Sequence, residues 1–560
     1  MTGHDSEPGV IPGGESAPGI VLVGPEIEEN LGLRYLAASL SKAGFDSRIV
    51  AFDSSDDLGR TAERILGARP APTLVAISLA FQWRAKDCLA LIVALRELGY
   101  QGHITAGGHF GTFVWQELLR DFPELSSMCL YEAEETIVDL ARALEAGESV
   151  TTVAGLATRD REHGPLPRPR PELTSLPWPD RRGQAATCLG HRIATLVSGR
   201  GCYANCAFCC IAAWHRTEPE GPTYRLRPID DVADEMASLH LERGIEIFIF
   251  HDDNFFVPNK GESLARIHAL ADALEGRGVK RFATVVKARP TDVTREVFGA
   301  MVERLGCIRT FLGVETDAVQ GLQTLNRRVS RRRNHEAMGI LRELGLYVCY
   351  NMLVFDPDAT IESLQTNLDF IRDNGDYPSN FGRVELYAGT PLLARMQAES
   401  RARGDYLRWG YAQGNAEMER VFRIAMRCFY PRNFGSGALA NRLQSTRFDV
   451  EVCRFFHPQL SSEPWLERAR SLSQALAEDS VQAMGDIIAW VQGGRGDAER
   501  DAFEAEVSDR LRAAEARIGA AAKALEQEVQ QAVGARCHHG RPRGDDEPRR
   551  TPDRLRPPAQ

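Results

Sequence analysis

The sequence has no apolar run long enough to cross a bilayer; its strongest, Thr73 to Phe81, is the length of a strand. Its first residues, MTGHDSEPGVIPGGESAPG, lack the basic start and apolar stretch of a secretory leader, so export is not expected. Positive charge is also short: Lys and Arg total 67 against 77 Asp and Glu, a formal net charge of -10. A nucleic-acid face needs clustered Lys and Arg against phosphates, so none is expected; the run Arg331-Arg332-Arg333 reads as a solvated first helical turn. The 12 cysteines are scattered and give no disulfide framework, in keeping with a chain expected in the reducing cytoplasm. A hydrophobic content of 43% with 26% charged residues is ordinary for a folded protein. At 560 residues the chain should divide into roughly two or three domains.

Strands alternating with helices mark two stretches of α/β architecture. In the first, residues 18–150, the strand candidates are IVLVGP, DSRIVAFD, TLVAISLA, GHITAGG and SSMCLYE, with helices closing at Gly44 and Gly99. That pattern predicts a doubly wound, flavodoxin-like Rossmann domain, whose ligands sit beyond the carboxyl ends of the strands. Residues 151–191, with GPLPRPRPELTSLPWPDRR, read as a proline-rich linker. The second stretch, 192–395, has the strands IATLVSG, IEIFIFHDD, KRFATVVKA, IRTFLGVET, YVCYNMLVF and FGRVELYAG. These predict a partial (β/α)6 barrel. Residues 396–533 read as a mostly α-helical C-terminal region, and 1–17 and the basic tail 534–560 as disordered. The tail's Cys537, His538 and His539 read as an incidental cluster.

One cysteine group is not scattered. GRGCYANCAFC, Gly199 to Cys209, ends the first barrel strand with Cys202, Cys206 and Cys209 in a C-x3-C-x2-C spacing. Three thiolates on a short loop suit three irons of a 4Fe–4S cube, leaving one iron for a small chelating ligand such as the amino and carboxylate groups of S-adenosylmethionine (SAM). A zinc site with Cys210 or His215 is disfavoured because structural zinc takes spaced pairs. A ferredoxin needs a fourth ligand in register.

These features resemble the radical SAM superfamily. Phe208 holds the aromatic position before the third cysteine, which the resemblance places near adenine. Asp252 and Asp253 of HDDNF, and Glu315 of GVETDAVQGLQTLNRR, match positions that contact SAM. FDPDATIESL resembles the fifth-strand turn with Asp356 and Pro357 in place of glycines, and ELYAGTPL the sixth-strand ending. Lys287, Arg289, Asn351 and Tyr387 also fall at or after carboxyl ends of predicted strands, where barrels build sites.

The order of the pieces, a doubly wound domain, a SLPWPD linker and a SAM barrel, resembles the cobalamin-binding radical SAM enzymes of the class B methyltransferase type. That resemblance implies cobalamin over the first domain, with Gly107 and Gly108 giving room to its tail and Ser78 and the loop LAFQWR under the corrin. The D-x-H-x-x-G cobalt-ligating motif is absent, and His109 lacks its context. Gln82, Trp83 or Arg84 is then expected to face the lower side of cobalt.

The expected cofactors are therefore a 4Fe–4S cluster, SAM and cobalamin. The expected activity is methylation of an unactivated carbon in a small-molecule or peptide substrate, by methylcobalamin and a 5′-deoxyadenosyl radical. An external donor such as flavodoxin or ferredoxin would supply electrons. The alternatives are a cyclase or rearrangement enzyme with the same cofactors, and a non-catalytic iron–sulfur carrier. The stretch RVFRIAMRCFYPRNF is expected to cap the space between cobalt and cluster.

Overall fold

The structure, a computed structural model, describes residues 19–534 apart from 69–70, 161–163, 218–220 and 436. The expected disordered end 1–17 and the tail beyond 534, with its Cys537-His538-His539 trio, lie outside the described residues.

The first domain is built on a six-stranded sheet. Its spatial order is Ser47–Ala51, Ile20–Gly24, Leu74–Ser78, His103–Gly107, Ser127–Cys129 and Leu156–Ala157. The first five strands are parallel and the last, a short edge strand, antiparallel. This is the flavodoxin-like order, and helices on both faces explain why Val21, Leu22 and Val23 are all fully buried.

The second domain carries a seven-stranded sheet. Six strands run parallel in sequence order, from His191–Leu196 through Ile245–Phe250, Ala283–Ala288, Cys307–Leu312 and Tyr347–Phe355 to Ser379–Arg383. The strand Ala186–Cys188 adds an antiparallel edge, so the sheet curls as an open half-barrel and does not close. The proline-rich segment 151–191 thus supplies an edge strand to each sheet. It is pinned as well: Arg181 donates to Glu29, Glu235 and the Thr195 carbonyl.

The two domains share a polar seam. Glu29, in the loop after the first strand, accepts from the N–H and hydroxyl of Thr195 at 2.9 and 3.0 Å. Gln82 spends both ends of its amide on the barrel, donating to the Leu386 carbonyl and accepting from Ala388 N–H, each at 3.0 Å. Glu132 and Glu134 pair with Arg200, and Glu132 also with Arg225.

The C-terminal region is a hairpin, Ala402–Asp405 with Arg408–Tyr411, and the helices Ala416–Phe434, Leu439–Phe456, Glu463–Gln492 and Asp497–Val533. The last helix buries Val507, Leu511, Ala514, Ile518, Ala522, Leu525 and Val529, a stripe at three- and four-residue spacing that packs on the other three helices. The stretch RVFRIAMRCFYPRNF belongs to the helix 416–434, which packs mainly on helices 463–492 and 497–533. It also meets strands 347–355 and 379–383 through Phe422 and Phe429, but the helix that spans strands 307–312, 347–355 and 379–383 and reaches the cavity through Gln444 is Leu439–Phe456.

Among these helices Arg432 is buried, paired with Asp479 at 2.6 Å and Glu515 at 3.1 Å and bonded to Ser480 and the Leu511 carbonyl. Arg432→Met removes the cation and leaves two partly buried carboxylates facing a hole in the bundle. It is expected to destabilise the protein by about 3 kcal/mol, read from the urea midpoint.

Candidate active site

The cysteine loop begins where the strand Gly199–Gly201 pairs antiparallel with Tyr224–Leu226. Gly201 has φ +87°, and a Cβ there would collide with the Thr223 carbonyl oxygen, so only glycine lets the chain turn into Cys202. Asp253 receives the Gly201 N–H at 2.9 Å and fixes the same turn from the neighbouring strand end. Cys202, Cys206, Cys209 and Phe208 then line one cavity of about 320 Å³. Asn254, Lys287, Arg289, Glu315, Arg327 and Asn351 complete much of its wall.

Two guanidinium groups converge on one thiol. Arg289 donates to Cys206 Sγ at 3.2 Å and Arg327 at 3.0 Å. Arg289 also donates to the Arg327 carbonyl at 2.5 Å, and Arg327 to the Gly313 carbonyl. The same cations offset the burial that raises the Glu315 carboxyl above its usual range. Glu315 has φ +66°, a left-handed conformation rare for a side-chain-bearing residue, and its carbonyl is held by Leu353 N–H at 2.5 Å. Such strain is retained where surrounding contacts over-determine it. Burial pushes Cys209 up to about 12 and also raises Cys202, so a metal binding there must displace the protons of these thiols. Phe208 packs on the small apolar cluster of Leu325, Leu386 and Leu392.

Not every expected residue faces this cavity. Asp252 is fully engaged with Ser198, accepting its N–H at 3.1 and 3.0 Å and its hydroxyl at 2.7 Å. It clamps two strand ends, while its neighbour Asp253 lines the cavity. Arg327 was missed by sequence reasoning, because Asn326-Arg327-Arg328 after a short helix reads as surface. Asn254 was missed too, although it lies within HDDNF.

The other expected site lies at the carboxyl edge of the first sheet. Ser78 and Gly107 end adjacent strands. Gly108 has φ +112°, and a Cβ there would lie 2.8 Å from Ala80 N, so the two strand-end loops touch through bare backbone. Phe81 and Trp83 are 51% and 65% exposed, with ring centroids 6.2 Å apart, on the loop whose Gln82 bridges to the barrel. Gln82 has no free amide atom to turn toward a bound group, and Arg84 is buried beneath, donating to the Asp53 carbonyl and stacked over Phe52. His109 turns toward the barrel: its ring meets Trp214, in the helix that follows Cys209, edge-on at 4.8 Å.

A Rossmann sheet with glycines at its strand ends, set against a half-barrel with a three-thiol loop, defines a two-domain cofactor enzyme. The chain matches the B12 binding domain family over residues 19–141 and the Radical SAM superfamily over residues 196–371. It belongs to the radical SAM enzymes that carry a B12-binding domain, which implies cobalamin, SAM and a 4Fe–4S cluster as cofactors. It is 23% identical over 373 residues to "Uncharacterized methyltransferase PH0819" of Pyrococcus horikoshii, covering 65% of this chain and 77% of the relative. It is 25% identical over 388 residues to an anaerobic magnesium-protoporphyrin IX monomethyl ester cyclase of Cereibacter sphaeroides, covering 65% and 59%. To the hopanoid C-3 methylase of Methylococcus capsulatus it is 28% identical over 343 residues, covering 59% and 61%. The chain thus spans under two thirds of the length of these last two relatives. In fold it is similar to the cobalamin-dependent SAM radical enzyme OxsB with aqua-cobalamin and SAM bound, at a TM-score of 0.63 and 16% identity, covering 92% of this chain and 84% of that one.

The residues fit the implied groups. Three thiols share one cavity with cations against one of them, the donor set an iron–sulfur cube requires. The exposed aromatic pair Phe81 and Trp83 offers apolar surface at the strand-end edge, where a corrin would lie.

Gly201→Ala is expected to lower bound iron by more than half after anaerobic reconstitution, because the turn into Cys202 cannot form. Cys210→Ala should keep full iron, and iron analysis separates the two. Burial raises Asp252 to about 6. An acid raised on folding favours the folded state below its unfolded value and loses that contribution as pH rises through its folded value. Asp252→Asn should therefore flatten the fall of stability between about pH 4 and pH 6, measured as denaturant midpoints across that range.

Proposed function

We propose that the chain is a cobalamin-dependent radical SAM methyltransferase that methylates an unactivated carbon of a small-molecule or peptide substrate. The observation that carries this reading is the continuity of the two sites. The helix that follows the cysteine loop packs on His109 of the cobalamin domain, and Arg200, immediately before Gly201, is paired with that domain's Glu132 and Glu134. When bound, the three cofactors supply a carbon radical from SAM and a methyl group to transfer.

The chain's own residues hold and orient. Cys202, Cys206 and Cys209 ligate the cluster, and Arg289 and Arg327 balance the charge of the Cys206 sulfur. Asp253 and Glu315, which line the cavity, take the amino group of SAM in this reading, and Phe208 packs on its adenine. Asp252 acts one step back, holding the strand ends that carry the loop. Trp83 and Phe81 meet the corrin, with Ser78, Gly107 and Gly108 along its path to the sheet. Gln82, bonded through both ends of its amide to the barrel, holds the two domains in register. Helix 439–456 encloses the substrate space and shields it from water. An external electron donor, such as a flavodoxin or ferredoxin, completes the system.

The cyclase among the relatives supports a second reading, in which the same cofactors close a ring without methyl transfer. Reaction with methyl-labelled SAM separates them: the methyltransferase yields labelled product heavier by one methylene unit, and the cyclase yields unlabelled product that has lost hydrogen. Cys206→Ala is expected to abolish iron binding and 5′-deoxyadenosine formation. SAM cleavage surviving in that variant would overturn the assignment of the cluster ligands.

A further inference from the structure

The cavity wall includes strand residues other than the cysteine loop and Glu315. The parallel strands Ala283–Ala288 and Cys307–Leu312 set Val285 beside Arg309 and Lys287 beside Phe311. Alternation along a strand then sends Lys287, Arg309 and Phe311 to one face, the inside of the half-barrel. Lys287 and Phe311 line the cavity, as does Cys349 on the next strand, whose register partner is Phe311. Arg309 does not itself line the cavity but touches two residues that do, Phe311 and Cys349. Its guanidinium stands 4.1 Å from the Phe311 ring centroid, 5.3 Å from that of Tyr347 and 5.2 Å from that of Phe448.

Arg309 donates through Nε to Cys349 Sγ at 3.2 Å. Its two terminal nitrogens have no hydrogen-bond acceptor among the described residues, nor has Lys287 Nζ. Neither side chain has an ion-pair partner among the described residues. The nearby carboxylates are engaged elsewhere: Glu315 beside Arg327 and Arg289, Asp253 on Gly201 N–H, and Glu28 3.4 Å from His251. Aromatic faces steady a cation without neutralising it. An enclosed guanidinium with a free fork, beside an unpaired ammonium, is built to meet an acceptor carrying negative charge.

We propose that Lys287 and Arg309 form the anion-binding end of the substrate cavity, so that the substrate carries a carboxylate or phosphate group that docks there. The proposal rests on the reading of this cavity as the substrate site. Arg309 grips two oxygens of the anion, Lys287 adds charge one strand away, and the rest of the substrate extends toward the cysteine loop. Asn351 and Gln444, which also line the cavity, add no charge to it.

The test is anion binding to the reconstituted holoprotein at saturating SAM, by calorimetry with inorganic phosphate and separately with succinate. One or both should bind, and the tighter one identifies the group as phosphate or carboxylate. Arg309→Gln should weaken binding by about tenfold or more, the loss expected for a hydrogen bond to a charged group, and Arg309→Lys should restore part of it. Lys287→Met, whose wild-type side chain has no partner to lose, should weaken binding severalfold and serves as the second variant if Arg309→Gln fails to fold. Iron content and circular dichroism establish that each variant is intact. The proposal falls if neither anion binds the wild type, if saturating SAM abolishes binding, or if an intact variant binds as the wild type does. Because binding is read without turnover, a holoprotein that binds anions but transfers no methyl group overturns the proposed function and leaves this inference standing.

Discussion

The salt-bridge cluster of Glu132, Glu134, Arg200 and Arg225 sets where everything else in the site can be. Arg200 stands between Gly199 and Gly201, one turn of the chain from Cys202, and Arg225 lies beside it as its register partner. Both pair with Glu132, in the loop after the last parallel strand of the cobalamin domain, and Arg200 stacks over Tyr35 at 4.7 Å. Removing such charges from water costs about as much as their attraction returns, so the cluster adds little net stability compared with an apolar contact. What it adds is position. A carboxylate with 4% of its side chain exposed tolerates no sliding of its guanidinium partners, because any slip leaves a charge buried and alone. The cysteine loop is thereby held at one distance from the carboxyl edge of the first sheet.

The same economy recurs at the cavity. Asp252 and Asp253 are adjacent, so their side chains diverge, and the chain uses one for architecture and one for the site. Asp252 joins the ends of two neighbouring strands, and Asp253 reaches across to the glycine before the first cysteine. Arg289 and Arg327 likewise do two things each, bonding the Cys206 sulfur while tying backbone carbonyls together. A group bound on this loop would sit among donors already fixed in place, which spares reorganisation when charge moves.

Much of this was legible in the sequence, for a physical reason. Parallel strands covered on both faces are continuous apolar runs, so segments such as IVLVG and IEIFIF announce themselves. The cysteine loop was legible because metal ligands must recur at short spacing. Adjacent polar residues were not separable: nothing in HDDNF says which aspartate turns inward, and nothing in LAFQWR says that Gln82 serves the domain seam. Arg327 was hidden because a basic pair after a short helix has the composition of solvent-facing chain. The prolines of 151–191 forbid a regular helix, yet they do not reveal that the segment clasps both sheets through Arg181 and its two edge strands.

The covering helix shows why pattern fails where function concentrates. LANRLQSTRFDVEVCRFF has weak amphipathic character, because Arg447, Asp449 and Glu451 are buried within it along with its apolar residues. Arg447 and Glu451 pair at 2.8 Å, four residues apart. Asp449 accepts from Cys188 on the edge strand, and Phe448 stacks over Arg309 inside the half-barrel. An apolar face would have sealed the concave side of the sheet as a core. A helix of paired charges and single aromatic contacts covers it while leaving polar groups, Gln444 among them, facing a cavity. The open half-barrel therefore depends on this helix for enclosure, while the stretch RVFRIAMRCFYPRNF packs both on the helical bundle and, through Phe422, Phe429 and Asn433, on the barrel strands 347–355 and 379–383.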